Sequence, residues 1–310
     1  MTGSLAPRGY FLLSLGLIVA LLAQKAIAQV SVPSVHDRAF WREIITQKYE
    51  VPTNNAIAPL ALELSAFVTS ADSELRDAFG YEILANWIHR SGRLSTADLD
   101  ALRRAFLPHV LSGIGESGTD RVFARSFALL NLKELAAADL KTPFLSQASF
   151  DELFDLAAQA LVSEVDLRGY VPEKGWAHAT AHGADLLRVL ARNPKLSRSQ
   201  QMRLLDAFVT RLRSSKGVFI WGEDGRIAAA LESLASRTDV DLTVFDSWFA
   251  ALRAENQRLW REPFNGDAYV RVRTQVNTLA QFAALVARQN KPAFPAKLRD
   301  ALHATLVTLD

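Results

Sequence analysis

Between Glu164 and Asp185 the chain reads E-V-D-L-R-G-Y-V-P-E-K-G-W-A-H-A-T-A-H-G-A-D, which crowds two histidines, several carboxylates, Arg168, Tyr170, Lys174 and Trp176 into one stretch. Gly169, Pro172 and Gly175 interrupt any periodicity, so 166–175 reads as a loop, with a helix expected to open between Glu173 and Trp176. On that helix His178, His182 and Asp185 fall at i, i+4 and i+7, a stripe roughly 60° wide. Trp176, Leu186, Leu187 and Leu190 are expected on the neighbouring apolar face, while Ala179 and Gly183 leave room for a close approach.

Three chemistries fit these residues. Two imidazoles one turn apart with a carboxylate beyond them can hold a divalent metal through His178, His182 and Asp185, with Glu164 or Asp166 completing the shell. Against this, the residues between the histidines are Ala179, Thr180 and Ala181, so the H-E-x-x-H pattern is absent. Without a metal, His178 or His182 can act as a base tuned by Glu164, Asp166 or Asp185, and Arg168 and Lys174 can hold an anion. Trp176 and Tyr170 can stack on a ring or sugar. In the third reading the cluster is structural: the histidines bond helix-corner carbonyls, Arg168 pairs with Asp166 or Glu164, and Trp176 fills core. Arg125, inside an apolar helix, is expected to pair with Glu164 or Asp166 in preference to a ligand. Arg273 and Asn277, one turn apart, invite the same choice. Gly113 to Thr119 lacks the lysine of a phosphate loop, and no G-x-S-x-G elbow marks a serine hydrolase.

The run D-L-R-G-Y-V-x-x-K-G-W-A-H-A-x-A-H-G-A-D-L-L, Asp166 to Leu187, resembles the signature of the bacterial family called domain of unknown function 2785. V-F-A-R-S-F (Val122 to Phe127) and R-V-R-T-Q-V-N-T-L (Arg271 to Leu279) fit the same family, and the similarity extends from about Trp41 to the C-terminus. The resemblance implies an all-helical, armadillo-like fold and no particular activity.

The elements that must position these residues are helices. Helical spacing is read at His36 to Tyr49, Ala58 to Ser70, Leu75 to Arg90, after Ser95, before Val165, after Ser197, and at Arg226 to Arg237, Phe245 to Asn256, Tyr269 to Gln289 and Pro295 to Thr308. Ser95 with Asp98, and the Ser149-Phe150-Asp151-Glu152 run, read as capping boxes. Gly113 to Gly118 reads as a turn, and Val218 to Trp221 as a loop or a turn of strand. No useful strand alternation argues for an α/β fold. Helix pairs recur about every 40 residues, the range of HEAT and armadillo repeats, so the expected fold is an all-α superhelix of antiparallel pairs forming one domain, 29–310.

Residues 1–28 have the pattern of a secretory leader: Arg8, an apolar run from Phe11 to Ala23 and the small-x-small site Ala26-Ile27-Ala28. That run is shorter than the roughly 20 residues needed to cross a bilayer, so no stable membrane span is expected after its removal. Cleavage would remove two of the 35 basic residues and leave 33 against 33 acidic ones, which takes away any electrostatic argument for nucleic acid. Without cysteine there is neither disulfide nor lipid attachment at that residue. The expectation is an exported protein, periplasmic or secreted, that binds a small molecule or a protein through a polar groove. The alternative is a hydrolase using His178 or His182 with Asp166 or Asp185.

Overall fold

The computed structural model describes residues 35–288 and 295–309, so the leader and its cleavage site lie outside the described residues. Helices dominate: α1 Arg38–Thr46, α2 Ile57–Ser65, α3 Thr96–Phe106, α4 Arg121–Lys141, α5 Gln147–Ser163, α6 Ala179–Ala191, α7 Arg198–Arg213, α8 Glu223–Ala235, α9 Thr243–Arg261, α10 Gly266–Arg288 and α11 Ala296–Val307. The sheet among the described residues is a two-stranded hairpin, β1 Tyr170–Val171 and β2 Gly175–Trp176. None of the described helices is long and apolar enough to cross a membrane.

The helix starts follow from the sequence where a serine sits at the right offset. Ser95 and Ser197 each close a reciprocal capping box, with Asp98 and Gln200 respectively, and together satisfy two backbone donors at each start. The start of α5 differs from expectation. Ser146, not Ser149, caps it, and Glu152, the carboxylate of the expected box, pairs with Arg103 on α3 at 2.6 Å. The helix before α3 also departs from the regular form, with i→i+5 bonding over Glu74–Ile83 and Asn86–Arg90. Its buried residues accordingly recur at widened intervals: Phe79, then Ile83 with Leu84, then Trp87 with Ile88.

Alternate helices stack in series. α4 packs on α6, α6 on α8 and α8 on α10, while α5 packs on α6 and α7, and α9 lies against α10 and α11. Between these rows runs one large core, from Trp41 and Phe79 through Phe150, Leu187 and Phe208 to Phe245 and Phe282. The central members α4 and α6 are buried on nearly every face, and α4 accordingly shows little amphipathic pattern.

One buried ion pair ties the loops at the start of this stack. The Arg125 guanidinium on α4 donates through Nε and Nη2 to both Glu164 oxygens, at 2.6 and 2.8 Å, with both side chains buried. Its other hydrogens reach the carbonyls of Ser112, Gly113 and Glu116. Glu164 in turn accepts from the backbone of Val165 and Asp166, so the turn before α4 and the corner after α5 share one charged anchor. Arg125→Met strands the Glu164 carboxylate in the interior and should lower unfolding free energy by about 3–5 kcal/mol. The double variant Arg125→Met/Glu164→Gln should recover part of that loss. Urea denaturation measures both, and a single variant as stable as the parent would refute the anchor.

Candidate functional site

The hairpin expected as a loop is latched from below. Arg76, fully buried, donates to the carbonyls of Ser70 and Ala71 and, at 2.5 Å, to that of Lys174 in the hairpin turn. Its guanidinium lies 4.2 and 4.7 Å from the ring centres of Phe123 and Phe127 and pairs with Asp77 at 2.7 Å. Gly175, at φ +79°, passes close to that arginine, and a Cβ there would stand 3.1 Å from Nη2. The ladder pairs Tyr170 with Trp176 and Val171 with Gly175. Two further bonds extend it, from Ala177 N to Gly169 O and from His178 N to Arg168 O.

His178 ends the ladder and begins α6. It adopts the left-handed conformation, φ 51° and ψ 31°, so the helix opens at Ala179, later than the expected Glu173 to Trp176. A non-glycine residue there carries strain of about 1–3 kcal/mol and persists only when held. The hold is a hydrogen bond: Nε2 donates to the Trp221 carbonyl at 2.8 Å, which assigns the proton to Nε2 and leaves Nδ1 as the acceptor. Trp176, expected on the apolar face, instead stands 42% exposed beside it, with ring centres 5.2 Å apart.

His182 lies one turn on and is enclosed. Ser126 donates its hydroxyl hydrogen to Ala177 O, so His182 Nδ1–H donates to Ser126 Oγ at 2.8 Å and Nε2 is the unprotonated nitrogen. Burial, then the neighbouring His178 and Arg226, pushes its pKa from 6.5 down to about 3. His178 is also depressed, first by burial. Both imidazoles are therefore neutral at pH 7. Their centres are 5.6 Å apart at 62°, and Asp185, the third member of the stripe, is taken by Arg226 at 2.5 Å. Among the described residues no three His, Cys, Asp or Glu side chains are grouped as a metal site.

The remaining candidates separate into fixtures and surface. Asp166 accepts from Gly118 N, Arg168 N and the Arg168 guanidinium, and Arg168 also reaches Thr119 O. Despite its burial these bonds hold the Asp166 carboxyl below its usual range. Lys174 pairs with the exposed Asp120. Glu164 and Arg125 are the buried anchor. Asn277 lies half-buried on α10, which packs chiefly on α8 and also on α7, α9 and α11, away from the main contacts of α6.

What the sequence reading did not include is Trp221. This residue, 39% exposed, meets Trp176 edge-on at 6.0 Å, and Trp176 meets Tyr170, itself 52% exposed, at 5.6 Å. The signal was present as a large aromatic just before Gly222, which takes φ +87° and opens α8. Glu223 fixes this turn by accepting from Trp221 N. Arg226, Arg211 and Thr180 were missed because their partners are distant in sequence: Arg211, buried, donates to Thr180 Oγ1 at 3.1 Å. The starts of α4, α6 and α8 thus meet around one exposed aromatic triad resting on a neutral, hydrogen-bonded floor.

Gly169 is the seat of Trp221: a Cβ there would fall 2.2 Å from Trp221 Cγ, at the stem of the side chain where it has least freedom to move. Gly169→Ala should displace that indole, shift tryptophan emission to the red and destabilise the fold by about 1–3 kcal/mol. Unchanged emission and stability would refute the packing.

The depressed imidazole gives a signed pH dependence. Between about 3 and 6.5 the unfolded chain binds more protons at His182 than the folded one, so this group makes stability rise with pH across that window and level off above it. Asp77, raised by burial to about 6, contributes the opposite slope. The comparison of the parent with His182→Gln isolates the imidazole: from pH 6 to pH 5 the parent should lose about 1.2 kcal/mol relative to the variant in urea denaturation. Parallel curves would contradict a buried neutral His182.

The chain belongs to the family described as Protein of unknown function (DUF2785), which matches residues 110–285. That span holds α4 to α9, the hairpin and most of α10, and is narrower than the stretch from Trp41 onward suggested by the motifs. No curated protein and no solved structure matches the chain.

Proposed function

We propose that this chain is an exported binding module, periplasmic or secreted, whose hairpin face takes a neutral ring-bearing ligand of the carbohydrate class. The observation that carries the reading is the exposed triad of Tyr170, Trp176 and Trp221. Two indoles and a phenol left in water forgo apolar burial, yet their mutual contacts and the Gly169 seat give them fixed orientations. A sugar ring offers an apolar C–H face to such surfaces and hydroxyls to the polar groups beside them. Those groups are Lys174 with Asp120 and Arg226 with Asp185, each cation paired with a carboxylate, so the rim supplies donors and acceptors without a strong net sign. That favours a neutral, polyhydroxylated ligand over a highly charged one.

The hydrolase reading has less support in the geometry. Ser126 is fully buried, His182 has Nδ1 committed to it, and Asp185 is neutralised by Arg226, which leaves no activated nucleophile with an adjacent base. Metal binding at His178 and His182 would use Nδ1 of the first and Nε2 of the second, and Asp185 would have to leave Arg226. The serial packing of α4, α6, α8 and α10 supports an α-α superhelix as the larger architecture, with the hairpin beside the starts of α4, α6 and α8.

The test is tryptophan fluorescence titration with a panel of neutral oligosaccharides. At least one should give a saturable change with Kd in the range of about 10 μM to 1 mM. Trp176→Ala and Trp221→Ala should each weaken it by about tenfold or more with little change in melting temperature. A panel without any saturable response, or one that the two variants leave intact, would overturn the carbohydrate reading.

A further inference from the structure

We infer that the cleft at the C-terminal ends of α6 and α8 is a binding site for a phosphate-type oxyanion, held by Arg188 and Arg192. The cleft measures about 540 Å³ and is lined by both arginines together with Ser233, Thr238, Glu232 and Arg237. Arg188, in the last turn of α6, and Arg192, its C-cap, stand four residues apart, so the two cations lie on one side of the helix end and repel. Neither has a carboxylate within 4.0 Å among the described residues. Arg192 Nε donates to Ser233 Oγ at 3.0 Å, and Arg188 Nε is buried without a hydrogen-bond partner. Arg192 is exposed as a residue, yet partial desolvation of its guanidinium, and then Arg188, depresses it below its ordinary value, with Glu232 pulling the other way.

The third arginine shows what a satisfied guanidinium looks like in the same wall. Arg237 donates through Nη1 to the carbonyls of Ala191 and Asn193 and through Nε to Asp239. It thereby caps the end of α6 and offsets the negative pole that would otherwise repel an anion there. What is left over is the terminal Nη pairs of the two guanidiniums, suited to paired oxygens, and the Ser233 hydroxyl, which accepts from Arg192 and has its own hydrogen to give. The acidic residues of the wall are engaged elsewhere, Glu232 accepting from Ser236 and Asp239 from Arg237 and Gln201. A single phosphate occupies a small part of the volume, so the natural ligand extends beyond its anionic group.

The experiment uses the full chain and two probes. In calorimetric titration at constant ionic strength, inorganic phosphate should bind saturably with a Kd of about 10 mM or tighter and raise the melting temperature. Arg188→Met and Arg192→Met should each lose about tenfold or more in affinity, and Arg188→Lys, which keeps the charge and loses the fork, should weaken binding while preserving the fold. Arg258→Met, an exposed residue remote from the cleft, should bind as the parent does. Without phosphate, Arg188→Met should melt no lower than the parent, because one of two repelling cations is gone. Flotation with phosphatidylglycerol vesicles distinguishes a lipid headgroup from a free phosphate: association lost in Arg192→Met assigns the lipid source, and its absence alongside phosphate binding assigns the soluble one. Absence of saturable phosphate binding together with absence of vesicle association would overturn the site. So would binding that survives unchanged in all three arginine variants, the mark of an adventitious ion only.

Discussion

The bidentate pair between Arg125 and Glu164 is the constraint from which the rest of the site follows. Both ions are withdrawn from water, and a pair so placed gains little net stability over apolar residues of the same size. What the pair supplies is registration. Arg125 gathers three carbonyls of the turn before α4, and Glu164 gathers two amides of the corner after α5, so the spatial relation of two irregular segments is set by one contact. Asp166 then binds Gly118 and Arg168, and the hairpin leaves that corner in a defined direction toward Arg76. Charged groups are better than apolar ones at this task because each hydrogen bond has a direction, whereas aliphatic packing tolerates slippage.

This arrangement changes the meaning of the charged residues that crowd the central motif. Most act as fixtures: every polar hydrogen or lone pair used in holding a loop is withdrawn from chemistry. The histidines follow the same logic from the opposite side. Their tautomers are determined by Trp221 O and Ser126 Oγ, and burial keeps both neutral, so they form a floor of fixed dipoles under the aromatic rings. Reactivity would require an exposed nucleophile poised against one of them, and Ser126, the hydroxyl that touches His182, is sealed on α4.

Much of the fold was legible in the sequence because capping and periodicity are local. Ser95 and Ser197 mark their helices by a reciprocal bond three residues long, which needs nothing from elsewhere. That Arg125 pairs with a carboxylate was also legible, since an arginine inside an apolar helix demands one; the choice of Glu164 over Asp166 was made only by the fold. The failures have a common cause. His178 adopts positive φ because a carbonyl 43 residues away holds its ring, and no local propensity carries that information. Helical phase placed Trp176 on the apolar face, but the helix starts three residues beyond it, and the β ladder turns it outward instead. The expected box at Ser149 needed Glu152 to reach back to it, but Glu152 pairs with Arg103 on α3, and Ser146 caps the helix instead.

α6 carries both proposed sites, the aromatic face at its beginning and the arginine cleft toward its end. From His178 to Arg188 the rise along the axis is about 15 Å. Charge placed in the cleft is therefore felt at the imidazoles only weakly through solvent, where the screening length is about 8 Å at physiological salt. The protein path is another matter, because α6 is buried along nearly its whole length and buried charges are screened far less. The sign of any coupling through it follows from geometry: an anion beside Arg188 and Arg192 offsets two positive charges on the same rod, which favours protonation of His182 and His178. Since burial holds His182 more than three units below neutrality, that influence cannot charge it at pH 7. Were both faces occupied, the Ser126-bonded part of the floor at His182 would stay in place whatever the cleft holds.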